Sequence, residues 1–181
     1  AHKTYHQLKK AGDQPFSSPI GVALGEDRLY FADSVLSKIF ILDRRLKLLT
    51  TLEGFLRPTS IVIDQDKQRL YVTDTLAHEI KVFSTDGEAF FSFGGRGEED
   101  SQLNYPSHLA FSGDRLFVND TMNFRIQIFN AEGHHLQSFG KHGKGSGHFT
   151  QPKGLAVDSM GHIYVADALS NRVQIFKQDG T

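Results

Sequence analysis

Asp120-Thr-Met-Asn-Phe-Arg-Ile-Gln-Ile-Phe129 decides how the chain folds, because it occurs four times. Asp167-Ala-Leu-Ser-Asn-Arg-Val-Gln-Ile-Phe176 is nearly a copy. Asp74-Thr-Leu-Ala-His-Glu-Ile-Lys-Val-Phe83 is looser, and Asp33-Ser-Val-Leu-Ser-Lys-Ile-Phe-Ile-Leu42 is the loosest. Successive aspartates stand 41, 46 and 47 positions apart. Self-similarity at that period means one supersecondary unit repeated along the chain. The second half of each copy alternates apolar with polar or charged residues, which predicts a strand with one buried face.

Outward from that stretch, each repeat opens at a proline: Pro19, Pro58, Pro106 and Pro152. A short apolar run follows (Val22–Leu24, Ile61–Ile63, Leu109–Phe111, Leu155–Val157), then a turn and a second run ending at the aspartate. Asp86-Gly87, Glu132-Gly133 and Asp179-Gly180 mark hairpins after the third strand. Leu46–Leu52, Glu88–Phe93 and His134–Phe139 supply a fourth strand in three repeats, and the last repeat reaches Thr181 without one. Four antiparallel strands every 40–50 residues describe a β-propeller blade. The expected fold is therefore all-β, with blades at 19–57, 58–105, 106–151 and 152–181. Residues 1–18 form a lead-in, in which Thr4–Leu8 is a candidate outer strand for the last blade.

Pro152-Lys-Gly-Leu-Ala-Val-Asp158, Ile163-Tyr-Val-Ala-Asp167, Asn171-Arg-Val-Gln-Ile-Phe176 and Asp179-Gly180 together resemble the NHL repeat. Residues 106–140 match almost as well, including Ser138-Phe-Gly140, and the resemblance extends over residues 19–181. The bacterial branch with many such repeats is the most similar. The resemblance implies a ring of six blades, of which four are present and the fourth is unfinished. It leaves three arrangements open: part of a longer protein, a ring completed by another chain, or an unusually small closed propeller. Bacterial members of this type are often exported, which points to the periplasm or the cell exterior.

Composition narrows the function classes. The formal charge is −1, which gives no global reason to expect nucleic acid or an anionic membrane. Cysteine is absent, so disulfides and thiolate metal sites are excluded. No apolar run approaches the ~18 residues of a membrane-spanning helix. No leader is visible at Ala1, so a secreted mature form would have lost it.

Strand order places the second-to-third loops and the blade-to-blade crossings on one face, called the top. The long connections Gly94–Tyr105 and Gly140–Gln151 lie there, which makes it the expected binding face. Four features stand out on it. Asp33/Lys38, Asp120/Arg125 and Asp167/Arg172 are spaced to pair across strand ends as scaffold. In the second repeat Asp74 meets Glu79, and His78, when protonated, is the compensating cation. Val35, Leu36, Leu76, Met122, Phe124 and Leu169 follow the aspartates as apolar loop-tip residues, suited to a protein or peptide or to packing on the next blade. His108 pairs in register with Asn119, where other repeats have small residues, and could contact a ligand at the channel mouth or fill space by a mutual hydrogen bond. Lys141, His142 and Lys144 give the second crossing a basic rim. Its glycines do not form a phosphate loop, since no helix follows.

No HExxH metal motif or nucleophile elbow is present, so no catalytic residue, metal ligand or cofactor is expected. Family members with amidating-lyase activity hold zinc in the channel, and here His108 is the single first-strand histidine. Family members that bind RNA use a basic top face, whereas the charge here is mixed, which disfavours nucleic acid. Asn119-Asp-Thr121 fits a glycosylation sequon but sits at a strand end and reads as scaffold. The sequence thus points to a non-enzymatic scaffold. It would bind a protein or peptide through Val35, Leu76, Met122, Phe124 and Leu169, with Lys141, His142 and Lys144 on the rim. The alternatives are a lyase-like enzyme or small-ligand binder centred on His108, and a structural segment of a larger assembly.

Overall fold

The computed structural model describes residues 7–181. Four antiparallel sheets follow one another along the chain. Blade 1 contains β3 (Pro19–Leu24), β4 (Arg28–Asp33), β5 (Lys38–Asp43) and β6 (Leu48–Leu52), after a short hairpin of β1 (Lys10–Ala11) and β2 (Gln14–Pro15). Blade 2 contains β7 (Pro58–Asp64), β8 (Arg69–Asp74), β9 (Glu79–Ser84) and β10 (Ala89–Gly94). Blade 3 contains β11 (Pro106–Ser112), β12 (Arg115–Asp120), β13 (Arg125–Asn130) and β14 (His135–Phe139). Blade 4 has three strands: β15 (Pro152–Val157), β16 (Ile163–Asp167) and β17 (Arg172–Phe176). The first strands lie side by side in series, β3 by β7, β7 by β11 and β11 by β15, so the sheets radiate as propeller blades. The outer strand expected at Thr4–Leu8 lies outside the described residues except for Gln7 and Leu8, which carry no strand.

Blades 2 and 3 are each sandwiched between two neighbours, which explains why their second strands read as continuous apolar runs rather than alternations. Leu116 and Val118 of β12 pack toward blade 2, in one cluster with Tyr71, Ile80 and Val82. Phe117 packs the other way, with Ile163 and Val165 of blade 4. Ile126, Ile128 and Phe129 of β13 are fully buried, each contributing about 1.5–3 kcal/mol relative to exposure. Phenylalanines at the ends of fourth strands reach onto the next blade: Phe93 packs on Phe129 and Phe139 on Phe176, both at 4.9 Å between ring centroids. Tyrosine hydroxyls latch the lower rim. Tyr30 donates to Thr85 O (3.0 Å) and Tyr71 to Ala131 O (2.9 Å) of the following blade.

The series ends on partly open faces. Phe16 of the lead-in packs on Phe31 and Phe40 and covers the outer part of blade 1. Ile20, Val22 and Leu24 of β3 remain exposed, as do Val173 and Ile175 of β17.

Candidate functional site: a cleft between the crossing loops

The four aspartates that mark the repeat are buried, and each joins consecutive segments by accepting backbone N–H groups. Asp33 accepts the backbone N–H groups of Ser17, Ser18, Val35 and Leu36 at 2.7–3.2 Å. Asp74 accepts those of Leu56 and Arg57, and Asp167 those of Thr150 and Gln151. Each carboxylate therefore ties the entry into its blade to the end of the second strand. The cation pairs expected from sequence form once: Arg125 Nε donates to Asp120 Oδ2 at 2.8 Å. Lys38 pairs instead with Glu53, and Arg172 turns to loop carbonyls. In blade 2 the compensating cation is Lys81, 3.0 Å from Asp74, and not His78, whose Nδ1 accepts Tyr105 N–H. A long side chain two residues further along the same strand face reaches the carboxylate, and its stem is close enough to Phe55 to place the ammonium 5.0 Å over the ring.

Burial alone would raise the carboxyls of Asp33 and Asp167, but the hydrogen bonds they accept outweigh it and hold both below the usual carboxylate range. Their stabilisation is complete above the unfolded value of about 3.9 and is lost as pH falls through the lower folded values. Burial also holds His78 and His108 low, helped by Arg96 and Lys153 respectively. The unfolded chain therefore takes up those protons first once pH drops below about 6.5. A urea midpoint that begins to fall below about pH 6.5 and falls again below about pH 4 is the expected result; a midpoint flat down to about pH 3 would contradict it.

The long crossings are clamped from β13 and β17. Arg125 Nη2 donates to the carbonyls of Glu99 and Gln102, and Gln127 donates to Gln102 O while accepting Ser101 N–H. Arg172 and Gln174 repeat the pattern one blade on. They donate to the carbonyls of Lys144, Gly145 and His148, and Gln174 accepts Gly147 N–H. Each crossing folds back on itself through a parallel bridge, Arg96 to Leu103 and His142 to Phe149. Leu103 and Phe149 are fully buried beneath the crossings. Gly140 permits this approach: its φ is +98°, and an added Cβ would lie 2.4 Å from the Phe149 ring. The Arg-x-Gln recurrence was visible in the sequence at 125–127 and 172–174 and could have revealed the clamps, since a glutamine as buried as Gln127 must find partners.

Between the two clamped crossings lies an open cleft of about 400 Å³. Phe124, Arg125 and Gly140 line it, Met122 and Asn123 come from the loop after β12, and Glu98, Lys141 and His142 come from the crossings. Phe124 holds a left-handed conformation (φ 55°) and places its ring 4.4 Å from that of His142. Asn123 Nδ2 donates to Gly97 O and to Asp120, which fastens the loop to the first crossing. Met122 remains 51% exposed on this fixed frame. The cleft thus offers an accessible apolar surface between two charged rims and holds no arrangement of nucleophile and base.

Of the residues singled out from sequence, Met122, Phe124, Lys141 and His142 converge in the cleft. Val35, Leu76 and Leu169 are exposed on their own blades, outside it. Lys144 is not among its lining residues, and its carbonyl serves the Arg172 clamp. Glu98, Asn123 and Arg125 belong to the cleft and were not anticipated as contacts. His108 and Asn119 do pair in register across β11 and β12. The expected mutual hydrogen bond is absent: His108 Nδ1 lies 3.3 Å from Ser107 Oγ, and both amide atoms of the fully buried Asn119 lack a partner among the described residues. Among the described residues no group of three or more His, Asp or Glu is placed to hold a metal ion, and no helix is long and apolar enough to cross a membrane.

Comparison with known proteins agrees with this architecture. The DUF5128 family model, described as a 6-bladed beta-propeller, matches residues 96–181. The chain is 34% identical to Protein brain tumor of Drosophila melanogaster over 133 residues, which is 71% of this chain and 12% of that protein. In structure it resembles the Kuenenia stuttgartiensis Hydrazine Synthase, with a TM-score of 0.66 and 13% identity over 96% of this chain and 53% of that one, a likeness of fold alone. The radial sheets, the family model and these likenesses make the chain a β-propeller protein.

Proposed function

We propose that the chain is a non-enzymatic interaction module of the NHL type, contributing four blades to a larger ring, and that it holds a protein or peptide segment in the top-face cleft. One observation carries this reading: Met122 stands half-exposed in the lining of a cleft whose crossings are fixed by polar clamps. An exposed apolar anchor on a pre-organised frame is what peptide recognition needs, because little ordering entropy is lost on binding. The repeat motifs of residues 106–180 support the NHL assignment, and the exposed faces of β3 and β17 support further blades.

A displayed random-peptide library selected on the protein tests the reading. Met122→Asp is expected to weaken the selected peptides at least about tenfold, the loss of roughly one buried apolar side chain. Leu169→Asp, at a more exposed apolar residue outside the cleft, is expected to leave them unchanged. Equal binding by all three proteins would remove the cleft from consideration.

A second reading, a small polar ligand at His108 and Asn119, is favoured by the unpartnered Asn119 amide alone. Asn119→Leu separates the two. A buried amide that gains no partner costs about 1–3 kcal/mol, so on the scaffold reading leucine is expected to raise the melting temperature by a few degrees. A lower melting temperature would favour a polar guest between blades 3 and 4.

A further inference from the structure

The two rims of the cleft carry opposite charge. Glu98 stands on the crossing that precedes blade 3, and Lys141 on the crossing that follows it. Both are exposed, and neither forms an ion pair among the described residues. The other permanent charge in the lining is committed. Arg125 is spent on Asp120 and two carbonyls, and Asp100 lies 3.8 Å from Arg125 and 3.6 Å from His135. The lining therefore has one free acid on the first crossing and one free base on the second, with Met122 and Phe124 as its apolar part. Resting on the peptide-binding reading above, we infer that the cleft takes a dipolar peptide segment: an apolar side chain over Met122 and Phe124, an acidic residue toward Lys141 and a basic residue toward Glu98. Complementary rim charges set orientation and exclude wrong partners more than they add affinity. A segment with like charge on both flanks meets repulsion at one rim whichever way it runs. A polyanion such as RNA meets Glu98, with Glu99 and Asp100 beside it in the same crossing.

Four fluorescein-labelled nonapeptides test this, each with a central leucine and flanks of aspartate on one side and lysine on the other, aspartate on both, lysine on both, or serine on both. An oligouridylate is the fifth probe. In fluorescence polarisation the dipolar peptide is expected to bind about threefold more tightly than either like-charged peptide, as exposed ion pairs allow. Lys141→Glu is expected to move the preference to the lysine-flanked peptide, and Glu98→Lys to the aspartate-flanked one. Such a reversal is a readout that general destabilisation would not produce. If Met122→Asp abolishes binding but all four peptides bind equally to the parent protein, the charge inference falls while the cleft reading stands. If no peptide responds to Met122→Asp, or none binds, the cleft reading itself falls. Tighter binding of the oligouridylate than of every peptide, lost in Lys141→Glu, would overturn the inference in favour of nucleic acid.

Discussion

Replacing Asp120 by alanine is expected to cost about 3–5 kcal/mol of stability, the range for removing one partner from a buried charged network. Asp120 is fully buried, and its two oxygens accept four bonds: Asn104 N–H at 2.7 Å, Arg125 Nε at 2.8 Å, Asn123 Nδ2 at 2.9 Å and Gln127 Nε2 at 3.0 Å. Alanine would leave a largely buried guanidinium without its nearest counter-charge and Asn104 N–H without its acceptor, and would take one acceptor from each of the Asn123 and Gln127 amides. The loss is large against a total stability of about 5–15 kcal/mol for a protein domain. Asp120→Asn should fall between, since it keeps one acceptor for Asn104 and sets an NH2 group against other donors. Urea denaturation gives the size, and hydrogen exchange at Asn104 gives the place, because that amide bonds directly to the carboxylate. A cost below about 1 kcal/mol, with Asn104 exchange unchanged, would show that the network is not what holds the first crossing.

Phe149→Ala carries a comparable expectation, about 3–5 kcal/mol for emptying a fully buried aromatic site. The ring packs on Phe176 at 5.8 Å between centroids and lies under Gly140, so it supports both blade 4 and the turn that starts the second crossing. Its effect should be local as well as global. Residues 140–151 would lose the plug beneath them while keeping the Arg172 and Gln174 clamps, so their exchange should quicken before the rest of the chain unfolds. Cleft binding should weaken with it, because Lys141 and His142 ride on that crossing. Phe149→Leu, which leaves a smaller cavity, should restore most of the stability and the binding. Unaltered exchange at 140–151 in the alanine variant would mean that the clamps alone order the crossing.

Much of the fold was legible because the repeat repeats its punctuation. Proline at the start of the first strand and aspartate at the end of the second recur in register in all four repeats, and a glycine follows the third strand in three of them. The register itself was readable at His108 and Asn119, since a short hairpin at Gly113-Asp114 leaves little choice of pairing. The partners of the aspartates were not legible. Sequence reasoning matched Asp33 to Lys38 and Asp167 to Arg172 because opposite charges invite it. The partners shared by all four are backbone N–H groups some fifteen to eighteen residues earlier, which carry no side-chain signature. The cleft was half legible. Apolar loop tips suggested one shared protein- or peptide-binding surface, whereas Met122 and Phe124 gain walls because blade 3 has a long crossing on both sides. Val35, Leu76 and Leu169 have no such pair of walls among the described residues.

A crystal structure of the protein with a library-selected peptide bound is the measurement to make. The expected result is an apolar peptide side chain seated between Met122 and Phe124, with the 94–105 and 140–151 crossings moved by no more than about 1 Å, as in a pre-organised complex. A peptide found instead on the exposed face of β3, or paired along the free edge of β17, would contradict it and make the open ends of the blade series the binding surface.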